Sequence, residues 1–347
     1  MRRLLLFPLL LLLVAAAAAW PSAAPRRDAH PLGPGESTRR ALFAALDTAS
    51  PVTLFRMASL LETGWRDLEP DSLLADSLRR LSAAEGYPPA VNRIGHLLYS
   101  QGDTAAGLAM IRRAAEAGDA RALYNLGVLL QKEGSDSAAL PYHRRAAAEG
   151  LGPALMALGD YYRAGRHVAR DLHVADSLYD RAVLAGFSPA QSALAALYEQ
   201  ELGIPPAASC LVLGLRYYTG GAPALGVWFF GCAADSVAQA EALLGDAFSR
   251  GYGVPYDYLE SLCRFYNAAC RGYAPAQFVI AEQLDFFPDA LQQIPDSLLT
   301  CACGRISDPE YWRALARQAG ITDARQAADS MFSTPNHFNT DTIRNIQ

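Results

Sequence analysis

One recurrence limits what this chain can fold into more than any other feature. Residues 112–127 read RRAAEAGDARALYNLG, and residues 144–159 read RRAAAEGLGPALMALG. The shared register is Ala-x3-Leu-Gly, seen at Ala90…Ile94-Gly95, Ala122…Leu126-Gly127 and Ala154…Leu158-Gly159. Weaker copies follow at Ala190…Leu194-Ala195, Ser209…Leu213-Gly214, Ala240…Leu244-Gly245 and Ala276…Ile280-Ala281, with a trace upstream at Thr53…Met57-Ala58. Counted between glycine positions from Ala58, the intervals are 37, 32, 32, 36, 19, 31 and 36 residues. All but one match the length of a helix-pair repeat.

Each unit reads as two helices. Leu123, Leu126, Leu129 and Leu130 recur at helical spacing, which leaves one face to be buried. Gly134 stops that helix where a positive φ is wanted, and Asp136 is expected to cap the second helix. The second helix passes Arg144 and ends at Gly150; Gly102-Asp103 and Gly118 repeat the arrangement one unit earlier. A glycine in mid-helix, such as Gly127, costs about 1 kcal/mol against alanine. That cost suggests a crossing helix whose backbone comes close, and Ala122 and Ala146 are small for the same reason. One pair cannot cover its own apolar face, so consecutive pairs must stack. The expected fold is all-α, a right-handed α-solenoid of about six stacked helix-turn-helix repeats.

The copy at 240–276, AEALLGDAFSRGYGVPYDYLESLCRFYNAACRGYAPA, carries more than the bare register. It resembles a Sel-one-like repeat, a relative of the tetratricopeptide repeat, in its order Ala-x3-Leu-Gly-x2-aromatic-x2-Gly-x-Gly-Val-x2-Asp, followed by Tyr266, Ala269 and Gly272. The resemblance implies that Gly95, Gly127, Gly159 and Gly245 lie in packing seams. It also implies that Gly251 and Gly253 bend the interhelix turn and that Asp257 caps the second helix. The unit at 154–190 keeps Gly165, Val168 and Asp171 but has His167 where the second turn glycine belongs. The 32-residue units lack this longer turn and are closer to tetratricopeptide repeats.

Two segments depart from the pattern. The prolines of GIPPAAS (203–209) cannot lie inside a helix, so residues 190–202 are expected to form a first helix without a partner, with a fresh pair from Ser209. Ala224, Trp228 and Cys232 then match the family's second-helix spacing. Pro141 falls inside another second helix and is expected to kink it.

The chain ends are read separately. Residues 1–24 begin with two arginines, run apolar from Leu4 to Trp20 and finish in small residues, the form of a secretory signal peptide. A flexible leader (25–40), the repeats (41–285), a capping segment (286–330) with a helix near 309–319, and a disordered tail (331–347) are expected to follow. No second apolar run of that length occurs, so no membrane span is expected after cleavage, and the chain is expected in the periplasm or outside the cell. A formal charge of −5 carries no basic footprint for nucleic acid. Oligomeric state is not legible.

Export makes Cys210, Cys232, Cys263, Cys270, Cys301 and Cys303 disulfide candidates. A hairpin would bring Cys210 to Cys232, while Cys263 and Cys270, seven residues apart on one helix, would hold the tail through Cys301 and Cys303. The lone C-x-C lacks zinc spacing, His167 and His173 beside Asp171 read as a polar turn, and no H-E-x-x-H, G-x-S-x-G or phosphate loop occurs. No metal, cofactor or catalytic residue is expected. In tetratricopeptide proteins the first helices line a ligand groove. Carried onto this chain, that implies Asn92, His96 and Tyr99, then Tyr124, Val128 and Gln131, then Met156, Asp160 and Arg163. Their mixture of aromatic, amide and charged groups suits an extended peptide. The expected function is an exported scaffold binding a protein or peptide partner. The alternative is a cell-envelope enzyme of the cysteine-rich repeat type that binds or hydrolyses β-lactams. It is weakened because residues 36–209 contain no cysteine.

Overall fold

The computed structural model describes residues 50–64, 69–298 and 304–333. The expected signal peptide, the leader, Cys301, Cys303 and residues 334–347 lie outside the described residues. The tail expected to be disordered from 331 is corrected at its start, where Met331–Ser333 are ordered and bonded to Gln239. Among the described residues there are sixteen α-helices and no strand. The fold is all-α and built of stacked helix-turn-helix repeats. No helix among them is long and apolar enough to cross a membrane.

The chain forms two compact units, one ending at Ala122 and one beginning at Leu123. In the first, α1 (Pro51–Thr63) packs on α2 (Ser72–Ala84), and α3 (Pro88–Ser100) on α4 (Thr104–Glu116). Helix α5 (Ala120–Lys132) opens at the boundary. In the second unit α5 meets α6 (Asp136–Ala148), and α7 (Gly152–Ala164) packs on α8 (Leu172–Leu184). Beyond α9 (Pro189–Leu202), α10 (Pro206–Thr219) packs on α11 (Pro223–Ala234), and α12 (Ala238–Arg250) on α13 (Tyr258–Cys270). Helix α14 (Ala274–Phe286) is covered by α15 (Pro309–Gln318) and α16 (Ala324–Met331).

The repeated small residue marks the tightest contact. Ala90, Ala122, Ala154, Ala190, Ser209, Ala240 and Ala276 are all at 0% exposure. The repeat glycines behave in two ways. At Gly95 the expected backbone crossing exists: an added Cβ would lie 2.9 Å from Gly107 O, and one on Gly107 would lie 2.6 Å from Tyr99 N. At Gly127, Gly159 and Gly245 the expectation of close backbone is corrected: a ring of the second helix occupies the notch, His143, Tyr179 and Phe265 respectively. At Gly214 both approach, the Phe230 ring and the backbone of Gly226, where a Cβ would lie 2.7 Å from Tyr218 N. Burying a large apolar ring stabilises by about 1.5–3 kcal/mol, which outweighs the propensity cost of the glycine.

The turns follow the expected chemistry with one correction. Asp103, Asp171 and Asp257 accept from the backbone N–H groups of Ala106, Val174 and Glu260 at 3.2, 3.0 and 3.0 Å. Asp136 does not cap. Ser135 precedes the helix, and the Asp136 carboxylate instead turns to Arg166 of the next pair at 3.3 Å. Gly251 and Gly253 have φ of 62° and 83°, and Gly253 abuts the backbone of Pro223, where a Cβ would lie 2.6 Å away. His167, in the matching position, is held at φ of 55°, and among the described residues it is the one non-glycine with positive φ.

Helix α9 has no closely packed second helix. It ends at Gly203 in the left-handed region, and Pro205 precedes α10. The expected start at Ser209 is corrected to Pro206, which is admitted as the first helical residue because no amide hydrogen is needed there. Pro141 lies inside α6 on its exposed side. Beyond the repeats, Trp312 of α15 is buried edge-on to Tyr266, and its indole N–H donates to Ile306 O at 2.8 Å.

The cysteine expectation is corrected in part. Cys210 and Cys232 are free thiols. They adjoin across the α10–α11 hairpin, and burial together with the Cys232 sulfur pushes the Cys210 thiol up to about 11, so it keeps its proton. Cys263 donates its S–H to Leu298 O at 3.0 Å, and Cys270 is disulfide-bonded.

Candidate binding face on the first helices

In each first helix three residues stand three before, one after and four after the repeat glycine. The glycine faces the second helix, and these positions, spaced by four and three, lie together on one side of the first helix beside it. In the first unit Asn92 is buried, His96 exposed and Tyr99 half-buried. In the second unit Tyr124, Val128 and Gln131 of α5 are half-buried, and so are Met156, Asp160 and Arg163 of α7.

Within the second unit Gln131 and Arg163 bond to the next repeat, and Asp160 bonds within its own pair. Gln131 Nε2 donates to the Tyr161 hydroxyl at 2.9 Å, and that hydroxyl donates to Asp136 O at 3.2 Å. The Arg166 guanidinium lies over the Tyr161 ring, 5.2 Å from its centre. Tyr179 donates to Asp160 Oδ1 at 2.6 Å. Burial, then this bond to a carboxylate, raises the Tyr179 pKa, so the phenol stays a donor. Arg163 reaches Asp160 at 3.8 Å and Glu201 at 3.9 Å, and Arg170 also pairs with Glu201. The Arg163 Nε is buried and makes no hydrogen bond.

The charged groups here are of both signs and pair with one another, Arg163 with Asp160 and Glu201, and Arg170 with Glu201. Half-buried tyrosines beside amide, carboxylate and guanidinium groups can hold apolar side chains and bond peptide groups together. His167 lies in the turn and His173 is exposed in the first turn of α8. Among the described residues no three His, Cys, Asp or Glu side chains are placed to hold a metal ion.

Several members of the face were not singled out from sequence. Tyr161 and Tyr179 are fully buried supports, and Glu201 comes from the unpaired α9. Tyr218 stands four residues after Gly214, in the register of Tyr99, Gln131 and Arg163, and this signal was available. Gln239 had none, because its partners, Met331 and Ser333, follow it by 92 and 94 residues.

No protein-family model and no curated protein matches the chain. Solved structures similar to it include a protective antigen of uropathogenic Escherichia coli displaying an SLR fold, at 22% identity over 83% of this chain and 57% of that one, with a TM-score of 0.38. This chain thus spans little more than half the antigen's length. A Sel1 repeat protein from Oxalobacter formigenes is similar at 22% identity over 71% of this chain and 94% of that one, with a TM-score of 0.33. An immunity protein from Pseudomonas aeruginosa is similar at 17% identity over 64% and 86%, with a TM-score of 0.23.

Proposed function

We propose that this chain is a binding scaffold with no chemistry of its own, and that it holds a partner protein or peptide segment against its first helices. The observation that carries this reading is the row Tyr124, Gln131, Asp160 and Arg163. These groups are half-buried, Gln131 and Arg163 reach into the next repeat while Asp160 is held by Tyr179 of its own pair, and the row includes an arginine Nε with no bond inside the chain. Export belongs to the same reading and is supported by the form of residues 1–24.

The test is affinity capture from the exported fraction, comparing the unsubstituted chain with one carrying Tyr124→Ala, Asp160→Ala and Arg163→Ala. At least tenfold lower recovery of the captured partner is expected. Equal recovery of every partner would remove this face from the function.

A further inference from the structure

Residues 330–333 show a second pattern, one that the repeat architecture does not require. Gln239, the second residue of α12, is buried, and its Nε2 donates to Met331 O at 2.8 Å and Ser333 O at 2.7 Å. Both amide hydrogens are therefore used on main-chain carbonyls that flank one residue. The Tyr273 hydroxyl donates to a third carbonyl, Ser330 O, at 3.4 Å. Phe332, between the two carbonyls on Gln239, stacks on Tyr218 with ring centres 6.1 Å apart and planes at 13°. Tyr252 meets Tyr218 edge-on at 5.0 Å, and Tyr218 donates to Asp246 Oδ2 at 3.0 Å. The ring that receives Phe332 is therefore held at its edge and at its hydroxyl.

Carbonyls at a helix C-terminus have no partner within the helix. Here Gln239 and Tyr273 supply donors to the end of α16 from another part of the chain. These bonds recognise main chain, whatever the side chains are. Sequence enters through few groups: Ala327 and Met331 are buried and Phe332 is stacked, whereas residues 323–326, 328 and 329 are exposed. A helix of eight residues does not persist alone in water, so α16 depends on this docking.

We propose that Tyr218, Gln239 and Tyr273 form a docking site for a peptide that ends a helical turn in an apolar–aromatic pair, and that the chain's own Met331–Phe332 occupies it as an intramolecular competitor. This rests on the reading that the first helices receive peptide segments and names one such site. Main-chain carbonyls supply the affinity and the aromatic side chain the selectivity, a division common to peptide recognition. A partner peptide in trans competes against a tethered segment, so release or weakening of that segment sets its apparent affinity.

The probe is a fluorescent peptide of residues 322–333, TDARQAADSMFS. It is titrated into the full chain, into the Phe332→Ala chain, and into the Phe332→Ala chain that also carries Gln239→Ala. The Phe332→Ala chain is expected to bind at least tenfold more tightly than the unsubstituted chain, and Gln239→Ala is expected to erase that gain. Binding no tighter to the Phe332→Ala chain, or unaffected by loss of Gln239, would overturn the proposal. Hydrogen exchange on the unsubstituted chain keeps it falsifiable without any substitution. Saturating peptide should speed exchange of the amides of 327–331 at least tenfold, and unchanged exchange would count against the proposal. Because the probe is the chain's own sequence, failure here leaves the capture experiment on Tyr124, Asp160 and Arg163 undecided, and failure there leaves this site standing.

Discussion

At the residue scale, the position facing each repeat glycine shows how one notch is filled in different ways. Phe230 and Phe265 fill it with apolar rings, Tyr179 with a ring whose hydroxyl finds Asp160, and His143 with an imidazole. His143 is at 0% exposure, neither ring nitrogen has a hydrogen-bond partner, and the Tyr124 and Tyr161 rings lie 5.6 and 5.9 Å away. Burial pushes its pKa down to about 4, against a smaller upward pull from the Asp136 carboxylate. The unfolded chain takes up this proton near its ordinary pKa of about 6.5, while the folded chain refuses it. Stability therefore falls as pH drops through that window, by about 2 kcal/mol between pH 7 and 4.5 after allowance for screening. His143→Phe should abolish this component. The check is urea unfolding of both chains across the range, with the difference between them growing as pH falls. His167 offers a second test. A non-glycine residue in the left-handed region costs about 1 kcal/mol, so His167→Gly should raise the thermal midpoint despite its added unfolded-state entropy. A lowered midpoint would show that the ring makes contacts worth more than the strain.

At the element scale, the unpaired α9 is bridged electrostatically. Arg216 of α10 donates to both Asp176 oxygens of α8, at 3.2 and 3.1 Å, and reaches Asp180 at 3.3 Å. Asp176 is at 1% exposure, and its pKa is raised because burial outweighs the pull of Arg216. Such a carboxylate is tolerable only while its cation is present. Arg216→Ala should therefore cost about 3–5 kcal/mol by stranding it. Replacing the pair, Arg216→Met with Asp176→Leu, should recover most of the loss. Urea midpoints of the single and double variants measure this. The helix pairs, the turn glycines and the break at Pro205-Pro206 were legible in the sequence, because each depends on backbone conformation a few residues long. The occupant of the notch at Gly127 was not. A missing Cβ announces a close approach but not whether backbone or ring makes it.

At the scale of the whole molecule, the proposed binding spreads over several first helices. The variant carrying Tyr124→Ala, Asp160→Ala and Arg163→Ala should accordingly lose more partner than any one substitution. Function on this reading lies in positions that the repeat leaves free to vary. Those positions were carried onto α3, α5 and α7 from the resemblance to tetratricopeptide repeats, by their register about the repeat glycine. The register could not tell that Asn92 is buried while His96 is exposed, since both satisfy the same spacing. It was equally silent about α16, an eight-residue helix with no repeat signature.

The sequence by itself determined the all-α repeat, its spacing, its buried alanines and its turns. These follow from helix periodicity and from the conformations open to glycine and proline, which act over a few residues. Only the tertiary structure decided that His143 sits unbonded beneath Gly127, that Arg216 reaches back past α9 to Asp176, and that Gln239 bonds the carbonyls on either side of Phe332. Those pairings depend on where distant helices come to rest, which conformation over a few residues does not set.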